Sequence, residues 1–329
     1  MKRKIILPLL ILALAVMACN LQFLIPTPTV PATTAPTNTP PAPTASLPTA
    51  IPATDTPVPP HPTLTAAPVT STPGDLTLDM LKNGTYHTPF YGRNVTLVNG
   101  SFSEGSGVDA FSVRMLDVYA LGDLNGDGKK DAAIILSENG GGSGMFESVI
   151  AITNQAGAPH QEDQAELGDR VNIKSVDISS GVIHLNMVVQ GPNDPMCCPT
   201  LPQKHNYWLI DNKLWLMRLN STVGGVEHLI NITSPGIWTT VKNPFTVNGV
   251  VTVLPFENTL AYKIYKTDGT KVNEGTLMVV PSGGTTGTFS QPFNLSYAGI
   301  SDWIILQFVD VSAADGSTTA LGSVILKTH

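Results

Sequence analysis

Fifteen of the chain's 27 prolines lie between Pro26 and Pro73, and this decides which part of the chain can build a core. Proline fixes φ and carries no backbone N–H, so a run of prolines neither continues a helix nor fits inside a sheet. The residues between them are mostly Thr, Ala and Val, as in Pro26-Thr27-Pro28-Thr29 and Pro57-Val58-Pro59-Pro60. Such a stretch has too little aromatic and aliphatic surface to offset the entropy of ordering it. The expectation over residues 19–75 is therefore a disordered, polyproline-biased Pro/Thr-rich linker, with a reach on the order of 150 Å at about 3.1 Å per residue. Of the 329 residues, those from Leu76 onward are left to fold.

Ahead of the linker, Lys2, Arg3 and Lys4 precede an apolar run from Ile5 to Met17 that ends in Val16-Met17-Ala18-Cys19. The run is shorter than the roughly 20 residues a membrane span needs, and the layout is that of a secretory signal with a small residue before its cleavage site. With cysteine after the site, the segment resembles a bacterial lipoprotein signal and lipobox. The resemblance implies a signal over residues 1–18, cleavage between Ala18 and Cys19, and a diacylglycerol on the Cys19 sulfur. The chain would then be lipid-anchored on the extracytoplasmic face of the bacterial cell membrane, and two or more acyl chains hold stably. Losing residues 2–4 leaves 15 of the 18 basic residues against 25 acidic ones, a balance of minus ten. That sign gives no electrostatic footprint for nucleic acid or for anionic headgroups.

From Leu76 the sequence reads as short strands and turns. Asn94–Val98, Ser112–Leu116, Val118–Leu121, Ala132–Leu136 and Val149–Thr153 are strand-like. Val171–Ile178 and Val182–Val189 flank Ser179-Ser180-Gly181, and Tyr207–Ile210 and Leu214–Met217 flank Asp211-Asn212-Lys213; both read as hairpins. Helix is expected only over Leu76–Leu81 and Gln161–Leu167. The first β domain is placed at 76–221, with Asn220–Gly225 read as a flexible join. After it, six or seven strands at intervals of about 8 to 12 residues argue for a β-sandwich over 226–329. The fold class is thus mainly β, with two antiparallel β domains.

The second domain carries Ile232-Thr233-Ser234-Pro235-Gly236, Asn243-Pro244-Phe245-Thr246-Val247-Asn248-Gly249, Phe256-Glu257-Asn258-Thr259-Leu260, Asp268-Gly269-Thr270 and Ala314-Asp315-Gly316-Ser317. In that order these resemble the bacterial Gmad2 immunoglobulin-like domain, over about Ile230 to His329. The resemblance implies an immunoglobulin-like sandwich associated with spore germination and the cell envelope, without known catalysis. Pro255 departs from the pattern and suggests an edge strand or bulge. The first domain, through Gly122–Ile135, Leu167–Val171 and Gly191–Thr200, resembles a domain of uncharacterised bacterial lipoproteins, which implies no activity.

Asp123-Leu124-Asn125-Gly126-Asp127-Gly128-Lys129-Lys130-Asp131 has the spacing of a calcium loop. Side-chain oxygens of Asp123, Asn125 and Asp127, the Lys129 carbonyl and the Asp131 carboxylate would converge on one hard cation. The bidentate Glu of an EF-hand is replaced by Ile134, and the loop resembles the nine-residue calcium loops of integrin-type propellers. The alternative is a polar turn whose Asp and Asn side chains cap backbone amides. Cys197 and Cys198 are the cysteines left after lipidation, and an oxidising compartment favours their pairing as a vicinal disulfide. The alternatives are free thiols, a soft-metal site with Met196 and His205, and intermolecular bridging. Gly140–Gly144 lacks both the Lys-Ser/Thr ending of a phosphate loop and the last glycine of a nucleophile elbow.

The function expected is non-catalytic: a lipid-anchored surface protein whose β domains bind a cell-wall polymer or another envelope protein. The alternatives are an envelope hydrolase in the 76–221 domain, drawing on His184, His205 and Asp194, and a soft-metal or redox protein using Met196, Cys197 and Cys198.

Overall fold

A computed structural model of the protein describes residues 74–296 and 302–329; the signal segment, Cys19 and the linker up to residue 73 lie outside the described residues. The first element, α1 (Leu78–Lys82), starts at Thr77, whose hydroxyl accepts from the Met80 N–H at 3.3 Å. It inserts Leu81 into the core. A hairpin of β1 (Thr85–Thr88) and β2 (Arg93–Thr96) completes this first layer.

The second layer is an antiparallel meander of β3 (Ser101–Glu104), β4 (Phe111–Gly122), β5 (Asp131–Asn139), β6 (Phe146–Gln155) and β7 (Ala158–Asp169). Its two central strands are buried on both faces, which is why Ala132–Leu136 shows no alternation of apolar and polar residues. Ala132, Ile134, Leu136, Ile150 and Ile152 pack toward α1 and the first hairpin. Ala133, Ile135, Val149 and Ala151 pack toward a third layer, formed by β8 (Asn172–Ser179), β9 (Val182–Val189), β10 (Leu201–Ile210) and β11 (Lys213–Val223). Each such buried Ile or Val contributes about 1.5–3 kcal/mol relative to exposure.

Two expectations are corrected here. Gln161–Leu167 is not helix but the middle of β7, paired with β6. Seven residues hold a helix poorly without tertiary support, whereas here Ala165 and Leu167, two apart, reach the shared core as a strand requires. The flexible join is also absent. Asn220–Val223 lies inside β11, and Gly224 and Gly225, with φ of 57° and 82°, turn the chain tightly into β12 (Val226–His228), which pairs back onto β11. Two residues with positive φ suit a primed hairpin turn, and glycine adopts it without a Cβ clash.

The remaining strands are β13 (Ile230–Ser234), β14 (Thr239–Val241), β15 (Phe245–Val251), β16 (Thr259–Lys266), β17 (Lys271–Met278), β18 (Val280–Gly283), β19 (Thr286–Phe293), β20 (Trp303–Val311) and β21 (Thr318–Thr328). The four strands β13-β15-β19-β18 form one sheet and β17-β16-β20-β21 the facing one. Val247, Phe289, Phe293, Leu306, Phe308 and Val324 lie in the core between them. Residues 230–328 thus form an immunoglobulin-like sandwich. Pro255 lies outside any strand and starts a tight turn over Phe256–Asn258, where Glu257 and Asn258 both have φ of 53°.

The facing sheet does not end at β21. Arg218, Leu219 and Asn220 of β11 pair with Gly322, Leu321 and Ala320 of β21, so the sheet runs from β17 through β21 and β11 to β8. Leu219, Val309 and Leu321 form a small core at the seam, and the Gln307 side chain donates to the Leu216 carbonyl at 2.9 Å. Gly322 is required there, because a Cβ on it would lie 2.4 Å from the Ile230 carbonyl oxygen.

Candidate functional site

The 123–131 loop joins β4 to β5, and its oxygens face its own backbone. The Asp123 carboxylate accepts from the amides of Gly126 at 2.6 Å and Gly128 at 2.9 Å. Asn125 accepts from Asp127 at 2.9 Å, and Asp127 from Lys129 at 2.8 Å. The hydrogen bond from the Lys129 amide holds the Asp127 carboxyl below its usual pKa. Asp131 is fully buried at the base and accepts from the amides of Leu124 and Asn154, both at 2.8 Å. Burial raises its pKa, and the charges of Asp127 and Asp123 push the same way. Among the described residues no group of three or more His, Cys, Asp or Glu is gathered closely enough to hold a metal ion. As arranged, the donor set is that of a self-capped turn, and calcium is left to the test given below.

Cys197 and Cys198, with Cα atoms 3.8 Å apart, are bonded to each other in the loop between β9 and β10. Asp194 organises that loop by accepting from the amides of Gly191 at 2.7 Å and Thr200 at 2.6 Å. Met196 is exposed, but His205 is not beside it: His205 is buried, with its ring nitrogens 3.1 Å from the Tyr207 hydroxyl and 3.0 Å from Gln203 Oε1. His184 meets Asn206 at 3.0 Å, and the register sets His205 opposite Leu185, one residue along from His184 and so on the other face. His184, His205 and Asp194 therefore occupy three separate environments.

The structure assembles a different site. A cleft of about 430 Å³ lies where the β9–β11 sheet meets the sandwich. Its floor is a cross-strand row of His184, Asn206 and Arg218 that ends on Gly322. Paired residues share a face, so the three polar side chains present together. One wall is Trp208, stacked on Trp238 at 6.0 Å between ring centroids; Trp238 in turn meets Trp303 edge-on at 5.2 Å. Asn231 and Pro235-Gly236-Ile237 also line the cleft. Trp238 is held at φ 62° with its amide donating to the Ile325 carbonyl at 2.8 Å, and it remains about half exposed. Of this set, the sequence reading had picked out only His184. Alternation along β10 would place Asn206 and Trp208 on one face, but nothing local indicates that Ile237 and Trp238 arrive from the other half of the chain.

These features define the class: a β protein with an immunoglobulin-like sandwich joined edge-on to a second β unit through one sheet. Residues 229–317 match the family model of Gmad2, the immunoglobulin-like domain of bacterial spore germination, in line with the motif resemblance over the second domain. The chain as a whole matches no curated protein.

Proposed function

We propose that the protein is a lipid-anchored, extracytoplasmic binding protein of the bacterial cell envelope, with a non-catalytic role in holding a wall polymer or another envelope protein. The observation that carries this reading is the cleft at the seam, because both halves of the chain are needed to wall it. A mixed lining of one indole, aliphatic side chains, amides and one guanidinium suits recognition. The Gmad2-like domain supports an envelope association, and the Lys2–Cys19 layout supports the anchor.

Two measurements test it. Cys19→Ala is expected to abolish incorporation of radiolabelled lipid and to release the chain or leave it unprocessed; equal labelling and retention would overturn the anchor. Wild-type protein in detergent is expected to co-sediment with purified wall sacculi or to capture a defined envelope partner, and to release no soluble product from the sacculi. Release of fragments that requires folded protein would favour the hydrolase reading.

A further inference from the structure

Trp208, Asn206, Arg218 and His184 converge on one cleft that no acidic side chain lines, in a chain whose net charge is −7. Arg218 is exposed and has no ion pair or hydrogen bond among those found for the described residues. Glu227, which feels the Arg218 charge, is taken up by Lys204 at 3.1 Å and Asn220 at 3.3 Å. Arg218 is the charged side chain of the cleft lining, while Asp177, paired across from His184 on the same face, lies beside the far end of the row. The cleft lining sets Trp208 and aliphatic side chains such as Val182, Ile232 and Ile237 beside a row of planar polar groups. If His184 Nδ1 donates to the Asn206 carbonyl oxygen, Asn206 offers both amide hydrogens to the cleft and His184 Nε2 offers a lone pair. Ser323, which also lines the cleft, has a buried hydroxyl without a partner. A sugar ring has the matching form: an apolar C–H face for an indole and a rim of hydroxyls for amide, imidazole and hydroxyl groups. A guanidinium adds a fork for a carboxylate.

We propose that this cleft binds an anionic saccharide, with the ring lying against Trp208, the hydroxyl rim on Asn206 and His184, and a carboxylate substituent on Arg218. The proposal rests on the binding role proposed above and narrows it to one ligand chemistry.

The test titrates the full chain in detergent with two disaccharides. One is N-acetylglucosaminyl-N-acetylmuramic acid; the other is diacetylchitobiose, which lacks the lactyl carboxylate. Binding is read by calorimetry and tryptophan fluorescence. The acidic disaccharide is expected to bind about tenfold or more tightly than the neutral one. Arg218→Ala is expected to erase that preference, because it removes a charge-assisted pair and leaves the stacking. Trp208→Ala is expected to weaken both sugars. As Trp208 is partly buried, Trp208→Phe, which keeps an aromatic ring, serves as the folded control and should lose less. Equal affinity for the two sugars, or a preference that survives Arg218→Ala, would overturn the proposal. So would binding of a short acidic peptide in place of either sugar. Capture of sacculi without binding of either disaccharide would overturn the saccharide assignment while leaving the broader binding role standing.

Discussion

Buried His205 is expected to add a pH-dependent contribution to the stability of this fold. Burial pushes its pKa down from 6.5 to about 3, because a charged imidazole would have to leave water and sit between Tyr207 and Gln203. The fold therefore holds His205 neutral, while the unfolded chain takes up a proton below pH 6.5. Across that window the unfolded state binds more protons, so stability rises with pH and is fully present above 6.5. The two values differ by about 3.5 pH units, which corresponds to about 5 kcal/mol once pH falls below 3. About 2 kcal/mol of this is already lost at pH 5. Asp131, Glu138 and Glu147 act with the opposite sign. Burial raises their pKa values, so each weighs against the fold when ionised, and that cost is relieved as pH falls. The comparison must therefore be made between variants rather than on the wild type alone. Urea midpoints, multiplied by the denaturant slope, would be measured from pH 7.5 to pH 4 for wild type, His205→Phe and His205→Asn. Both variants should be less stable than wild type at pH 7.5, since Tyr207 and Gln203 lose partners. The gap should close by about 2 kcal/mol at pH 5. A gap that stays constant over the whole range would show that His205 does not carry the pH dependence and would refute the reasoning.

Asp131→Ala strips two buried amides of their acceptor and should cost about 2–5 kcal/mol by chemical denaturation; a loss under 1 kcal/mol would mean that the amides find other partners. Calcium at millimolar concentration after chelator treatment should raise the melting temperature, as the spacing of the 123–131 loop predicts, and Asp127→Ala should abolish the rise; no response in the wild type would leave the loop a self-capped turn. Gly322→Ala pushes a methyl into the Ile230 carbonyl and should destabilise the seam by about 1–3 kcal/mol, with loss of ligand binding at the cleft as the second readout. A chain of residues 226–329 keeps the sandwich core and should unfold cooperatively, but it bares the β21 edge that β11 covers. Concentration-dependent self-association by sedimentation is the expected outcome, and a disordered circular dichroism spectrum would count against autonomy of the sandwich.

Much of the architecture was written locally. The unbroken apolar run Ala132–Leu136 demanded a strand covered on both faces, and the structure buries it so. Asp211 and Asn212, with φ of 49° and 59°, turn one hairpin where the sequence marked a turn, and the Gmad2 motifs located the sandwich. Gln161–Leu167 misled because its short polar stretch has no strong period, and pairing with β6 settled it. Asn220–Gly225 misled because glycine pairs serve flexible joins and tight hairpins alike, and only the partner strand distinguishes the two.

The sequence by itself determined what depends on neighbours along the chain. Period-two patterns set strands, and Asp and Asn side chains cap the amides two to five residues away. The tertiary structure alone decided what depends on residues far apart in the chain. Edge pairing of β11 with β21 turns two β units into one sheet, and Gly322 lets the Ile230 backbone cross it. Trp238 then comes to lie on Trp208, thirty positions away. Sheet edges carry no sequence label for their partner, since any strand offers the same amides and carbonyls; the choice is made by which side chains bury together. The cleft exists only after that choice, so its residues could not be read as a site from the order of the chain.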